Sequence, residues 1–276
     1  MKLVLPFVET MITQVCNLSC QGCSNYSDLK HTGYVTWAQG HQDLQAWLQR
    51  IHIEEFGIIG GEPLINPEWR EWLQGTRSLM PWARIRFTTN GLLIKDPVEL
   101  IQLVQKLGNI ILKITVHLDD EYLEQTVQQL FQAGSWRPIT EFGIDRWAGV
   151  NGTRLQINRP SQFIKTYQGD YAHMLPWNSL PDQAFASCVQ QTCPLLYRGQ
   201  IYKCSTSGLL QDLLAKIGNP NQTAWKPFVT NGISVDSSDQ EIQQFVDNFG
   251  RSHAMCGQCP TASQGQLLHK FTVKRK

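Results

Sequence analysis

An α/β fold built on a parallel sheet is predicted by three features of this chain. Strand-like and helix-like stretches alternate through the first half. At least one strand is a β-branched run of the kind buried on both faces, Phe56 to Ile59. Polar residues and cysteines cluster where the strands end. Strands separated by helices imply right-handed crossovers, and such sheets bind ligands beyond the carboxyl ends of their strands.

Residues 7–14 read as the first strand, which runs into a cysteine loop. Trp37, Leu44, Trp47, Leu48 and Ile51 recur at helical spacing, with Thr36 as N-cap. Residues 55–59 are the second strand. A helix follows over 67–80, with Pro67 suited to its first turn. The third strand, 84–89, ends at the turn pair Asn90 and Gly91. A helix over 97–107 stops at Gly108, and 110–117 is the fourth strand. The next helix covers 119–132 and closes at Gly134, with Asp119 and Asp120 complementing its dipole. Residues 139–147 and 153–158 both look extended: they pair as a hairpin, or only the second joins the sheet. A short helix is expected over 160–167 and an irregular covering loop over 168–181. Further on, Arg198 and Gly199 turn a hairpin whose base brings Cys193 and Cys204 together. Ser238 to Glu241 is a capping-box pattern opening a helix that runs through Phe249.

The length of 276 residues allows one large domain, or one domain with an extension. A hydrophobic share of 42% supplies a sizeable core, and a net charge of +1 argues against broad nucleic-acid binding. Lys270, Lys274, Arg275 and Lys276 read as a solvated basic terminus. No apolar run is long enough to cross a membrane. The first residues lack a signal-peptide core, with Glu9 close behind Met1. A cytoplasmic location is therefore expected, where disulfides are scarce.

Cys16, Cys20 and Cys23 form a C-x3-C-x2-C run. Three thiolates can hold three corners of an iron–sulfur cube and leave one iron open to a ligand, which points to catalysis rather than electron storage. Zinc favours four ligands; His31, the nearest downstream histidine, could complete such a site. The run Gly60, Gly61, Glu62, Pro63 follows the second strand directly. Its glycines let a ligand approach the backbone closely, and the carboxylate beside them can accept hydrogen bonds from an ammonium group. Taken alone, this run fits a plain Gly/Pro turn better.

The two motifs together resemble the radical S-adenosylmethionine (SAM) superfamily, over roughly residues 7–135. The resemblance implies a partial, open (β/α)6 TIM-like barrel. It implies that Cys16, Cys20 and Cys23 bind a [4Fe–4S] cluster whose open iron is chelated by the amine and carboxylate of SAM. Gly60, Gly61, Glu62 and Pro63 would line the methionine moiety. An electron from a donor such as flavodoxin or ferredoxin would split SAM into methionine and a 5′-deoxyadenosyl radical, which abstracts hydrogen from an unactivated carbon. One departure is Gly22, where many members carry an aromatic residue near the adenine. At the strand ends Thr88, Asn90, Thr115 and His117 are candidates for the nucleoside; for His117 a structural role stands equally open. Trp177, in the covering loop, is a candidate for substrate stacking.

Cys188, Cys193, Cys204, Cys256 and Cys259 form a second group. By itself this group fits zinc and an iron–sulfur cluster equally. The spacing of Cys188, Gly199 and Cys204 resembles the SPASM/twitch extension of radical SAM enzymes. That resemblance implies an auxiliary [4Fe–4S] cluster on Cys188, Cys193, Cys204 and one of Cys256 or Cys259. It divides the chain into a barrel over 1–180 and an extension over 181–276. The auxiliary cluster would take an electron from the substrate radical or bind substrate directly. The substrate is expected to be a small molecule or a peptide; the few residues before the first strand disfavour a leader-dependent maturase. The competing expectation is a zinc- or iron–sulfur-binding interaction protein without catalysis.

Overall fold

The computed structural model describes residues 2–139, 145–268 and 271–273. In chain order its first part comprises β1 (Leu3–Met11), β2 (Leu18–Cys20), α1 (Trp37–Arg50), β3 (Ile51–Ile59), α2 (Trp69–Leu79), β4 (Arg84–Thr89), α3 (Pro97–Leu107), β5 (Ile110–Thr115), α4 (Glu121–Ala133), β6 (Arg137–Pro138), β7 (Asp145–Ala148), β8 (Arg154–Asn158) and β9 (Gln162–Ile164). The second part adds α5 (Pro181–Ala186), β10 (Leu195–Tyr197), β11 (Gln200–Tyr202), α6 (Ser205–Ile217), α7 (Lys226–Val229), β12 (Ile233–Ser234), α8 (Asp239–Asp247), β13 (Gln266–Leu268) and β14 (Phe271–Val273).

The main sheet runs in the order β12-β11-β10-β1-β3-β4-β5-β8-β7-β6. Its middle strands, from β10 to β8, are all parallel. The flanks on both sides are antiparallel. This is the α/β fold with a mostly parallel sheet that alternating strands and helices require.

Local signals set the helix ends. Thr36 caps α1 with a full capping box to Gln39, and Ser238 does the same for α8 with Glu241. Asp96 caps α3 ahead of Pro97, and Gly108 ends it at φ 70°. Asp120 caps α4 by accepting from Leu123 N at 3.0 Å. Helix α2 starts at Trp69, two residues beyond Pro67, because Asn66 Oδ1 accepts from Glu68 N first and holds the turn open.

One expectation changes, and two placements left open by the sequence are decided. The segment expected as a helix over 160–167 holds strand β9 instead, paired antiparallel with β13 about a hundred residues later. Residues 145–148 pair antiparallel with β8 as the far arm of a hairpin; residues 140–144 lie outside the described residues, as do the basic side chains at 270 and 274–276. The remaining parallel strand is β10, which comes from the second part and lies on the open side of β1. The C-terminal segment is thus an extension of the main sheet at that edge.

Helices cover one face of the sheet. Val8, Phe56, Phe87, Leu112 and Leu155 point into that layer with Trp47, Leu73, Ile101 and Leu123 of the helices. Each such side chain stabilises the fold by about 1.5–3 kcal/mol. The opposite, inner face meets the second part of the chain: Met11, Ile59 and Leu195 share a core with Leu209, Leu213, Trp225 and Phe228. The sheet curls round this inner face. Lys113 on β5 acts electrostatically on Cys193, just before β10, although four strand spacings of about 4.8 Å separate those strands in a flat sheet.

Candidate active site

The loop after β3 is clamped to the approach to Cys16. Gly61 N donates to Thr13 O at 2.7 Å, and Glu62 N to Val15 O at 2.8 Å. A Cβ on Gly61 would stand 2.5 Å from Val15 O and 2.6 Å from Gln14 O. Glycine is required here because two backbones touch. Asn25 Nδ2 adds a bond to Gly60 O at 3.4 Å. The cysteine loop itself turns at Gly22, whose φ of 79° suits glycine, and Cys23 N donates to Cys20 O at 3.1 Å.

These loops enclose a cavity of about 150 Å³ at the carboxyl ends of the strands. Cys16, Cys20 and Cys23 form one wall with Gly60 and Gly61. Thr88, Asn90, Thr115 and His117 border the same cavity. Nine of the residues singled out from sequence, as cluster, methionine or nucleoside contacts, are therefore on the wall. Asn90 also braces the loop: its Nδ2 donates to Asn17 Oδ1 at 2.7 Å.

Glu62 and Pro63 are placed differently. Neither borders the cavity. Glu62 is fully buried, and its carboxylate accepts from Thr89 Oγ1 at 2.6 Å, Asn90 N at 2.7 Å and Leu64 N at 3.1 Å. Those bonds join the loop after β3 to the end of β4, so the carboxylate is occupied within the protein. Burial pushes its pKa up to about 7, against the pull of the bonds from Thr89, Asn90 and Leu64. Pro63 is buried at the start of a single 3₁₀ turn.

Glu62→Gln is accordingly expected to lower stability by about 1–3 kcal/mol, because an amide presents a donor to at least one backbone N–H. The deficit should depend on pH. The raised pKa means that the folded state holds the Glu62 proton more tightly than the unfolded chain. This contribution is fully present below the ordinary carboxyl range and is lost as pH rises through about 7. Glutamine abolishes it, so thermal melts of the two proteins should differ more at pH 5 than at pH 8. A variant as stable as the wild type at both would show that Glu62 is not a structural brace.

Phe163 also borders the cavity and was not legible from the sequence. Its ring stacks on His117 with centroids 5.6 Å apart. It reaches the site through the pairing of β9 with β13, for which no local motif exists. His31, by contrast, is off the wall, and its Nε2 bonds to Tyr26 O at 2.9 Å. Trp177 is also elsewhere: its backbone N–H donates to Gln258 O at 3.1 Å, against the second cysteine group.

That second group surrounds a smaller cavity of about 30 Å³. Cys188, Cys204, Cys256 and Cys259 line it with Phe185, Phe228 and Met255. Burial, then the neighbouring thiols, push the Cys259 thiol well up, and Cys204 rises to about 11 for the same leading cause. Cys193 does not border this cavity. Burial pushes it up to about 12, and its charged neighbours are Glu9, Arg86 and Lys113 before Cys188. The expected set of Cys188, Cys193, Cys204 and one later cysteine is thus not the set brought together; both Cys256 and Cys259 are present and Cys193 is not. Among the described residues no three His, Cys, Asp or Glu side chains converge as ligands of a single metal ion. None of the eight cysteines forms a disulfide among the described residues.

Residues 10–142 match the model of the Radical SAM superfamily. Over this segment the chain is similar to that superfamily. Among solved structures, BtrN in complex with AdoMet and 2-DOIA is similar over 96% of this chain and 96% of its own, with 16% identity and a TM-score of 0.52. At that identity the likeness is one of fold. BtrN in an open conformation gives a TM-score of 0.47 at 15% identity, over 96% of this chain and 97% of its own. SuiB of Streptococcus suis, bound to the precursor peptide SuiA, matches 45% of this chain with 19% identity and a TM-score of 0.37. That match spans only 26% of the SuiB chain. A search of curated proteins gives no significant match. No helix among the described residues is long and apolar enough to cross a membrane.

Proposed function

We propose that this chain is a radical SAM enzyme with two [4Fe–4S] clusters, acting on a small molecule or the end of a peptide. The observation that carries this reading is the shared wall of the larger cavity: three closely spaced thiols, an uncovered Gly-Gly backbone and strand-end polar groups. The similarity to the radical SAM superfamily over 10–142 and a fold shared with BtrN, itself seen with AdoMet, support it. We read the curled sheet as a partial (β/α)6 barrel over 1–180, and 181–276 as a twitch-like extension.

Cys16, Cys20 and Cys23 would hold the SAM-binding cluster, and their position beside open volume fits a cluster with one iron free of protein. Once bound and reduced by a flavodoxin or ferredoxin, that cluster with SAM supplies a 5′-deoxyadenosyl radical for hydrogen abstraction. The residues of this chain then bind, orient and exclude water. Gly60 and Gly61 present backbone to the methionine end. The stacked pair of Phe163 and His117 offers a flat face for adenine, in place of the aromatic residue absent at Gly22. Thr88 and Thr115 offer hydroxyls to the ribose. Cys188, Cys204, Cys256 and Cys259 would hold the auxiliary cluster, whose apolar surroundings suit electron transfer from a substrate radical. A cytoplasmic setting would keep these thiols reduced.

Anaerobic reconstitution tests the reading. About eight irons per chain are expected for two such clusters, with SAM converted to 5′-deoxyadenosine after reduction. Stoichiometric zinc without cleavage would overturn it and leave a non-catalytic metal-binding protein. Deuterium transfer into 5′-deoxyadenosine from candidate metabolites or peptides then identifies the molecule attacked.

A further inference from the structure

Directly beneath the larger cavity, the inner face of the sheet is charged. Lys113 lies one inward position before Thr115 on β5, and Arg86 one before Thr88 on β4. Both threonines border the cavity. Glu9 pairs in register with Gly57, and Gly57 with Arg86, so only a glycine separates Glu9 from Arg86 on this face. A Cβ on Gly57 would come within 2.8 Å of Glu9 Cβ and 3.0 Å of the Phe7 ring, so these side chains pack directly over the glycine.

The cations here are incompletely satisfied. The Arg86 guanidinium lies 4.7 Å over the Phe7 ring and pairs with Glu55, yet its Nε is buried with no hydrogen-bond partner. Arg84 shares Glu55 at 3.7 Å and has a buried Nε in the same condition. Lys113 makes no ion pair among the described residues. Burial pushes its pKa down, and Arg86 and Arg146 push it further against the opposing pull of Glu9 and Cys193. Glu9 in turn is pushed up to about 7 by burial, despite Arg86 and Lys113 nearby. Arg84, Arg86 and Lys113 thus face two carboxyls, one of which is readily neutral.

A purely structural network would close Lys113 onto Glu9, because a buried unpaired charge is costly. Perturbed charges of this kind cluster where ligands bind. We propose that Arg86 and Lys113 hold an anionic group of the substrate, a carboxylate or a phosphate monoester, on the inner face of the sheet. Arginine supplies the planar fork and lysine the point charge that such groups take. This inference rests on the radical SAM reading, since it assigns the anion to the molecule facing the SAM cavity.

Inorganic phosphate and, separately, acetate titrated into the anaerobically purified full chain at constant ionic strength provide the test, followed by calorimetry. One saturable site is expected. Lys113→Gln and Arg86→Gln should each weaken it at least about tenfold, as loss of a charge-assisted contact does, and Lys113→Arg should restore most of the binding. Lys106→Gln, on the exposed side of α3, should bind like the wild type. Tighter binding of phosphate would assign a phosphoryl substrate, and of acetate a carboxylate. Thermal melts identify a variant that fails to fold, and the remaining variant then decides. No saturable site, or equal affinity in all variants, overturns the proposal while SAM cleavage by the wild type still stands. Saturable binding in a protein that cleaves no SAM overturns the substrate assignment together with the enzymatic reading.

Discussion

Alanine at Cys16, Cys20 and Cys23 together is expected to abolish reductive SAM cleavage while about four irons per chain remain after anaerobic reconstitution. The expectation follows from the separation of the two thiol groups into two cavities with no cysteine in common. It is not guaranteed by distance, because the two share packing. Tyr26, three residues after Cys23, is buried at a φ of 54° in the same core as Cys204 and Cys256. Thr206 Oγ1, at the start of α6, donates to Ser24 O at 3.3 Å. The cysteine loop is also tied to the C-terminus by β2 pairing with β14. Backbone contacts of this kind do not need the thiols, so the extension should keep its fold. Iron analysis with circular dichroism of the triple variant measures both halves of the claim. Retained cleavage would remove the loop from the chemistry; loss of all iron would make the second site dependent on the first.

Legibility in the sequence followed the range of the interaction. Capping at Thr36 and Ser238, and the stop at Gly108, are decided within four residues and could be read directly. The cavity wall was legible because its residues stand at the ends of consecutive parallel strands, which any crossover fold brings to one side. Phe163 was not, because 160–167 has no period of its own and becomes a strand only against β13. Glu62 was legible as important but not in its role. A carboxylate beside two glycines fits a ligand contact as well as a brace, and its bonds from Thr89 and Asn90 come from the end of β4, beyond local pattern. The placement of β10 beside β1, far from its sequence neighbours, was likewise invisible to local pattern.

Serine at Cys259 is expected to remove the auxiliary cluster, about half of the iron, whereas serine at Cys193 should leave the iron content unchanged. A hairpin turning at Arg198 and Gly199, with φ of 51° and 75°, does form. Its base nonetheless sends its two cysteines apart. β10 is captured by β1, with Glu9 N donating to Pro194 O at 2.9 Å, and this carries Cys193 to the charged inner face. Cys204 instead opens α6 and turns into the second core. The place beside Cys188 and Cys204 is taken instead by cysteines from far along the chain. Ser179 N donates to Gly257 O at 2.8 Å, and Cys259 N to Cys256 O at 3.0 Å, which sets both late cysteines against Cys188 and Cys204. Gly257 must be glycine for this, since a Cβ would lie 2.8 Å from Ser179 O. Electron paramagnetic resonance of the reduced variants distinguishes the two clusters as iron counting alone does not. Equal loss in Cys193→Ser and Cys259→Ser would return Cys193 to the ligand set, and full iron in Cys259→Ser would remove the late pair from it.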